Sequence, residues 1–346
     1  MNILVIGGAG YIGSHTIIEL VRAGYTPAIL DNFGTSNRLV PELLNRITKQ
    51  HIPCVEGDFA DTPLLQRTLQ KLEIGAIVHF AAHKAVGESV ETPLKYYKNN
   101  VAGFVTLLEA ATRNDVPVVF SSSAAVYGNP ATETVAEETI CLPASPYGWS
   151  KLMDEVILRD ACAAKQPIRG VALRYFNVVG AHDSGMLGEM PALPPQNLLP
   201  IIVEAVAGLR DPLTIYGDDY DTPDGTCLRD YVHVVDLAKA HVVALDHLLK
   251  QPRGYYDVFN VGTGKPTSVK ELIAAFERVN KVSVPFVMGT RRAGDPQATS
   301  ARVDKIKALG WQAEKNIEDA CRDAWNWQLK RPDLQGANRH SPSRKK

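Results

Sequence analysis

Tyr147 and Lys151 stand four residues apart in Tyr147-Gly-Trp-Ser-Lys151, so on a helix their side chains share one face, one turn apart. A phenol at its ordinary pKa of about 10 is a poor base at neutral pH, and a nearby ammonium favours the phenolate. The pair would therefore let Tyr147 take a proton from a substrate hydroxyl. By itself the spacing can be two solvated residues on a helix face. It gains weight from Ser121-Ser-Ser123-Ala-Ala-Val-Tyr-Gly128, which follows an expected strand at the carboxyl edge of a sheet, where open α/β folds bind ligands. Ser123 is placed there to hydrogen-bond the reacting oxygen.

A second group of residues offers a partner for that chemistry. Gly7-Gly-Ala-Gly10-Tyr-Ile-Gly13 follows one expected strand and opens a helix, the context in which a glycine-rich loop binds a dinucleotide. Glycines let the backbone turn sharply and approach a pyrophosphate, and the helix N-terminus supplies unpaired N–H groups and partial positive charge. The next expected strand ends in Asp31, where a carboxylate can accept hydrogen bonds from the adenosine ribose and would repel a 2'-phosphate. NAD is expected rather than NADP.

Around these groups, short apolar runs alternate with helical patterns, the signature of an α/β fold with a doubly wound parallel sheet. Strands are expected at Ile3 to Ile6, Pro27 to Leu30, Pro53 to Val55, Ala76 to Phe80, Val118 to Ser121 and Val171 to Tyr175. Helices are expected after Gly10, over an unusually long Pro93 to Ala111, and over Tyr147 to Ala163. Residues 1–176 read as a Rossmann domain. Beyond Asn177 the texture turns rich in Gly and Pro, so 177–334 read as a smaller mixed α/β substrate lobe, with 232–261 returning to the first domain. Residues 335–346 read as a frayed polar tail.

The bulk composition excludes several classes. The 346 residues are 45% hydrophobic and carry a formal charge of -1 with interspersed signs, which leaves no basic field for nucleic acid or an anionic membrane. Apolar runs are strand-length, short of the roughly 20 residues of a membrane span, and the start is a strand pattern rather than a signal peptide. The five cysteines are scattered and form no CxxC, against a disulfide framework or a zinc site, so a cytoplasmic location is expected. Gly262-Thr-Gly-Lys265 looks like a phosphate loop, but Phe259 stands where its first glycine is required and Pro266 where its hydroxyl is. His79 and His83 lack any metal motif, and Trp325 and Trp327 read as helix packing.

Taken in order, the glycine loop, Ser123 and Tyr147/Lys151 resemble the extended short-chain dehydrogenase/reductase superfamily, and closely the UDP-glucose (UDP-galactose) 4-epimerases. The resemblance covers nearly the whole chain. It extends through Asp58-Phe59, Phe80-Ala-Ala-His-Lys84-Ala-Val-Gly-Glu-Ser, Tyr96-Tyr-Lys-Asn99-Asn, Leu173-Arg-Tyr-Phe-Asn177, Gly180-Ala-His182, Asn197-Leu-Leu-Pro200, Arg229-Asp-Tyr231-Val-His-Val and Arg291-Arg-Ala-Gly-Asp295. Val178 departs from the proline that many such enzymes carry after the asparagine.

What the resemblance implies is specific. NAD would be tightly held and recycled in each turnover. Tyr147 would remove the sugar 4-hydroxyl proton as the C4 hydride passes to NAD, and the 4-keto sugar would turn about its link to the diphosphate before hydride and proton return. Lys151 would lower the phenol pKa and Ser123 would support the proton. Tyr11, Ile12, Asn32, Asp58, Phe59, Phe80, Ala81, Ala82, Lys84, Asn99, Ser121, Tyr175 and Phe176 would line the cofactor, with Lys84, Ala124 and Phe176 also touching substrate. Arg229 and Arg292 would hold the diphosphate, as the planar fork of arginine suits phosphate oxygens. Asp295 would hold the uridine ribose, Asn177 and Asn197 the phosphate and sugar side, and Thr214, Ile215 and Tyr216 the uracil, with Leu198 and Tyr231 also among the substrate-binding residues. Thr299 stands where some epimerases carry a tyrosine that crowds the sugar, so N-acetylated UDP-sugars are expected as further substrates. No metal is implied, and a homodimer through a four-helix bundle is. Alternatives are an epimerase that prefers UDP-GlcNAc or a UDP-pentose. A 4,6-dehydratase needs an acid and base beside the serine, where Ala124 and Ala125 stand; a non-catalytic NAD sensor would not need Ser123, Tyr147 and Lys151 intact.

Overall fold

The chain is described by a computed structural model over residues 1–190, 195–292 and 296–331. Asp295 and the expected tail lie outside those residues. Asn2–Ile6 (β1), Thr26–Asp31 (β2), Cys54–Glu56 (β3), Ile74–His79 (β4), Val118–Ser123 (β5), Gly170–Tyr175 (β6) and Tyr256–Val261 (β7) form one parallel sheet. Its order is β7-β6-β5-β4-β1-β2-β3. Side chains alternate across a strand, and in β1 both faces are apolar. Ile3 and Val5 join the hydrophobic cluster on one side, Leu4 and Ile6 that on the other. The strand order reverses between β1 and β4, which opens a crevice at their carboxyl ends.

The helix Tyr11–Arg22 starts at that crevice, and Val234–Leu249 packs beside it on the same face of the sheet. The long helix expected over Pro93 to Ala111 is three consecutive pieces: α-helix Pro93–Tyr96, a π-helical turn Tyr97–Ala102, and α-helix Gly103–Asn114. The wide turn brings Asn100 inward, where its side chain accepts from the His83 N–H at 2.9 Å and donates to the His83 carbonyl at 3.1 Å and to Ser150 Oγ at 3.0 Å. Single π turns within helices favour functional sites, and hydrophobic periodicity carries no sign of one. The helix Pro146–Ala163 is N-capped by Ser145, which accepts from the Gly148 N–H at 3.2 Å, as an N-cap serine should.

Beyond β6, the strand Leu228–His233 pairs in parallel with Asn177–Val179 and Ala298–Ala301 and antiparallel with Pro266–Ser268. Leu213–Tyr216 and Phe286–Gly289 form a separate two-stranded parallel ladder. A third apolar cluster, including Leu199, Ile202, Phe276 and Cys321, fills this part. The loop Gly262-Thr-Gly-Lys265 wraps an internal carboxylate: Asp230 accepts from the Thr263 N–H at 2.7 Å, the Gly264 N–H at 2.9 Å and the Ala301 N–H at 3.0 Å. It is a structural turn whose amides are already used.

Candidate active site

The glycine loop crosses the crevice where β1 and β4 end. Gly7 adopts φ +76°, and a Cβ there would lie 2.7 Å from the Ala81 backbone nitrogen, so only glycine lets the two strand ends approach this closely. Phe80 and Ala81 donate their N–H groups to the Ile6 carbonyl at 2.8 and 3.2 Å. Gly10 is the N-cap of Tyr11–Arg22, with no side-chain cap and no acidic residue in the first turn. The helix therefore presents its N–H groups and positive end to the crevice. Asp31 closes the far side. Its carboxylate accepts from the Ala9 N–H at 3.0 Å, the Phe33 N–H at 2.9 Å and Ser36 Oγ at 2.8 Å; a carboxylate has about four lone-pair positions, so acceptor capacity remains. An uncapped helix N-terminus, a loop that excludes side chains and a carboxylate one strand away together form a donor and acceptor set that fits a dinucleotide.

Other expected cofactor residues ring the crevice unevenly. Phe59 is buried edge-on to His79, with ring centroids 4.9 Å apart. Asn32 and Asp58 are exposed, and their side chains accept from the Gly34 and Ala60 N–H groups, each at 2.9 Å. Ile12, Ala82 and Asn99 are half-buried. Tyr11 donates its hydroxyl to the Gly180 carbonyl at 2.6 Å. Lys84 is exposed and pairs with Glu189 at 3.0 Å. Glu189 was invisible as a site residue in the sequence, because it follows a loop with no periodic pattern.

Ser123, at the carboxyl end of β5, is in register with Tyr175 on β6 and stands near the Tyr147 phenol. Burial raises the phenol pKa, and the Ser123 hydroxyl opposes the rise. The Lys151 ammonium is 2% exposed and donates to the Ser121 carbonyl at 2.7 Å, where burial pulls its own pKa down to about 8. Tyr175 donates to Ser121 Oγ. Phe80 and Tyr175 rest on the His241 ring at 4.7 and 5.8 Å, a histidine that burial pushes down to about 4 and holds neutral.

From this point a ledge runs into the second lobe. Phe176 is buried beside Tyr175, and Asn177 is in register with Tyr231. Arg229 is in register with Thr299 on the neighbouring strand, and Ala124 is half-buried at the end of β5. Asn197 caps the helix Leu198–Val206 without using its side chain, which is exposed. Thr214, Ile215 and Tyr216 lie on one strand, and the Arg292 guanidinium stacks 4.0 Å over the Tyr216 ring. Its neighbour Arg291 is tied to Asp219 at 2.6 Å, which leaves Arg292 as the arginine of that pair facing the tyrosine. Among the described residues no group of acids, cysteines and histidines could hold a metal ion.

Residues 3–262 match the model of the NAD dependent epimerase/dehydratase family. The chain is 45% identical over 334 residues to the UDP-glucose 4-epimerase of Dictyostelium discoideum, covering 96% of this chain and 97% of that one. Two solved structures are similar along nearly the full length. The Stenotrophomonas maltophila UDP-glucose-4-epimerase with bound NAD and formylated UDP-arabinopyranose superposes with a TM-score of 0.93 at 44% identity, covering 97% and 99% of the two chains. The Bifidobacterium longum UDP-glucose 4-epimerase in complex with NAD+ and UDP gives 0.91 at 44% identity, covering 96% and 99%.

Proposed function

The chain belongs to the NAD dependent epimerase/dehydratase family, and from that premise we propose that it interconverts UDP-glucose and UDP-galactose at C4, with Tyr147 as base and NAD as a retained hydride carrier. The observation that carries this reading is that Ser123 ends β5 at the carboxyl edge of the sheet, near Tyr147, with Lys151 one turn further along the same helix and buried against the Ser121 carbonyl. When bound, NAD would supply a reversible acceptor for the C4 hydride. Tyr147 takes the 4-hydroxyl proton, and Ser123 holds the phenol and the sugar oxygen in line. Lys151, anchored on the Ser121 carbonyl, keeps positive charge beside the site where the phenolate forms. The hydride taken from C4 and the proton taken from its hydroxyl are both given back, so the reaction has no net redox change.

Inversion requires that the keto sugar turn while its nucleotide stays fixed. Arg229, Arg292 and Asn197 would grip the diphosphate and Thr214 to Tyr216 the uracil, while Asn177, Ala124 and Thr299 leave the hexose loosely bounded. Residues 1–176 with 232–261 serve as the dinucleotide domain and 177–334 as the UDP-sugar lobe. The test is Tyr147→Phe. It keeps the ring and the packing but removes the acid–base oxygen, and kcat is expected to fall about 10²–10⁴-fold with NAD still bound. Loss of the cofactor, or turnover within threefold of the parent, would refute the role.

Thr299 extends the reading to N-acetylated sugars. Its side chain is small and half-exposed on the strand beside Arg229, which leaves room for an acetamido group. Thr299→Tyr should depress activity on UDP-GlcNAc relative to UDP-glucose by tenfold or more, and an unchanged ratio would exclude the gate. The chain would act as a homodimer. Trp149, Met153 and Val156 on Pro146–Ala163 are 37%, 39% and 37% exposed, and Leu94 on the neighbouring helix is 80% exposed. Spaced by four and three residues, the first three form one apolar stripe, suited to pairing with a second copy in a four-helix bundle. Cys54, Cys141, Cys162 and Cys321, none of them in a disulfide, suit a reducing cytoplasm, and no described helix is long and apolar enough to cross a membrane.

A further inference from the structure

Behind the catalytic lysine lies a carboxylate that the reaction as described does not use. Asp154 follows Lys151 by three residues on the helix Pro146–Ala163, hence on the same face, and is 1% exposed. Its Oδ1 has no hydrogen-bond partner, and among the described residues the side chain makes no ion pair. Buried carboxylates are ordinarily hydrogen-bonded or paired, because an uncompensated one is costly. The adjacent Glu155 shows the ordinary arrangement: Arg174 binds it through two nitrogens at 2.9 and 2.6 Å, and Ser122 donates to it.

We propose that Asp154 is a positioning residue for the reaction, the buried counter-charge that keeps Lys151 protonated beside Tyr147. The inference rests on the function proposed above. Each group bears on the other's protonation: burial drives Lys151 down to about 8 while Asp154, and after it Glu155, hold it up, and burial drives Asp154 well up, with Glu155 adding to the rise, while Lys151 holds it down. Other charges nearby are already matched. Glu155 is neutralised by Arg174, which also donates to the Tyr127 hydroxyl at 3.1 Å. Tyr256 on β7 feels Glu155 and Arg174, and Asp257 pairs with Lys305. On the helical pieces packed against Pro146–Ala163, Glu88 is bound by Lys95 and Tyr96, and Glu109 pairs with Arg113. His79 on β4, whose Nδ1 is also unpartnered, is held neutral by burial with Lys151 acting in the same direction. Tyr147 and Tyr175 have raised pKa values and are uncharged at neutral pH. Asp154 is therefore the buried acid near the ammonium that has no other cation.

An opposite charge favours the charged form, so removing Asp154 lets Lys151 lose its proton at lower pH. The experiment compares the pH dependence of kcat for UDP-galactose epimerisation in the parent, Asp154→Asn and Asp154→Leu, each with its bound dinucleotide quantified. Asparagine keeps the shape without the charge, and leucine fills the apolar site should the amide itself disturb folding. The alkaline fall in kcat should begin roughly one pH unit lower in both variants, with KM and dinucleotide content near those of the parent. An alkaline limb superimposable on the parent's in either folded variant overturns the proposal. A parent that turns over no UDP-galactose at any pH would instead remove the functional reading beneath it.

Discussion

Substituting Gly13 by alanine puts a methyl group where the backbone of the glycine loop already stands. The added Cβ would lie 2.4 Å from the Gly7 carbonyl oxygen and 2.9 Å from Gly8 Cα. Ordinary contact begins near 3.4 Å, so the loop and the first helical turn must part by 3.4 − 2.4, about 1.0 Å. Both obstructing atoms are backbone, and no flexible side chain can yield. Overpacking of this kind costs about 1–3 kcal/mol. The opening occurs where the helix N-terminus and the loop face the crevice, so the cost should appear in dinucleotide binding. At 1.4 kcal/mol per decade it corresponds to about 5- to 140-fold weaker binding. The assay is the dinucleotide released per chain by acid after gel filtration, with thermal unfolding measured with and without added NAD; a bound ligand raises the transition by mass action. A Gly13→Ala protein that carries the parent's complement of dinucleotide and responds equally to NAD would refute the assignment of the loop.

Two further outcomes follow from buried charge and exposed apolar surface. Asp230→Asn should destabilise the chain by about 3 kcal/mol or more, since hydrogen bonds to a charged group contribute about 1.5–3 kcal/mol each and three N–H groups converge on that carboxylate; urea unfolding measures it, and a loss below about 1 kcal/mol would show that the amide suffices. Met153→Glu should convert a dimer into a folded monomer in light scattering, because it sets a charge in the exposed stripe with Trp149 and Val156. An unchanged mass would place the interface elsewhere.

The elements that position the site were legible because their signals are local. Apolar runs in β1, β4 and β5 have to be buried on both faces, and each observed strand lies within two residues of its expected start. The helix after Tyr147 was visible from the spacing of its apolar positions. The π turn at Tyr97–Ala102 was not, because it depends on Asn100 finding Ser150 and His83 across space. What burial does to the Tyr147 phenol was not legible for a related reason. Spacing reports that an ammonium stands one turn away, whereas burial of the phenol and the turn of Lys151 toward the Ser121 carbonyl belong to the folded packing. Glu189 on Lys84 and Asp154 behind Lys151 are likewise contacts or absences of contact that no spacing rule encodes. The roles of Arg229, Arg292 and Thr299 came from motif resemblance. Register alone now sets Arg229 beside Thr299, and ring stacking sets Arg292 on Tyr216.

The account stands on the claim that one polypeptide, carrying its own hydride acceptor, returns hydrogen to the carbon it was taken from. Purified protein should be incubated with UDP-galactose with no nicotinamide cofactor added, and the nucleotide sugars resolved over time. The account predicts UDP-glucose accumulating to a constant ratio through many turnovers per chain, without net formation of reduced cofactor. A stable keto product, stoichiometric reduction of NAD, or untouched UDP-galactose from protein loaded with dinucleotide would contradict it.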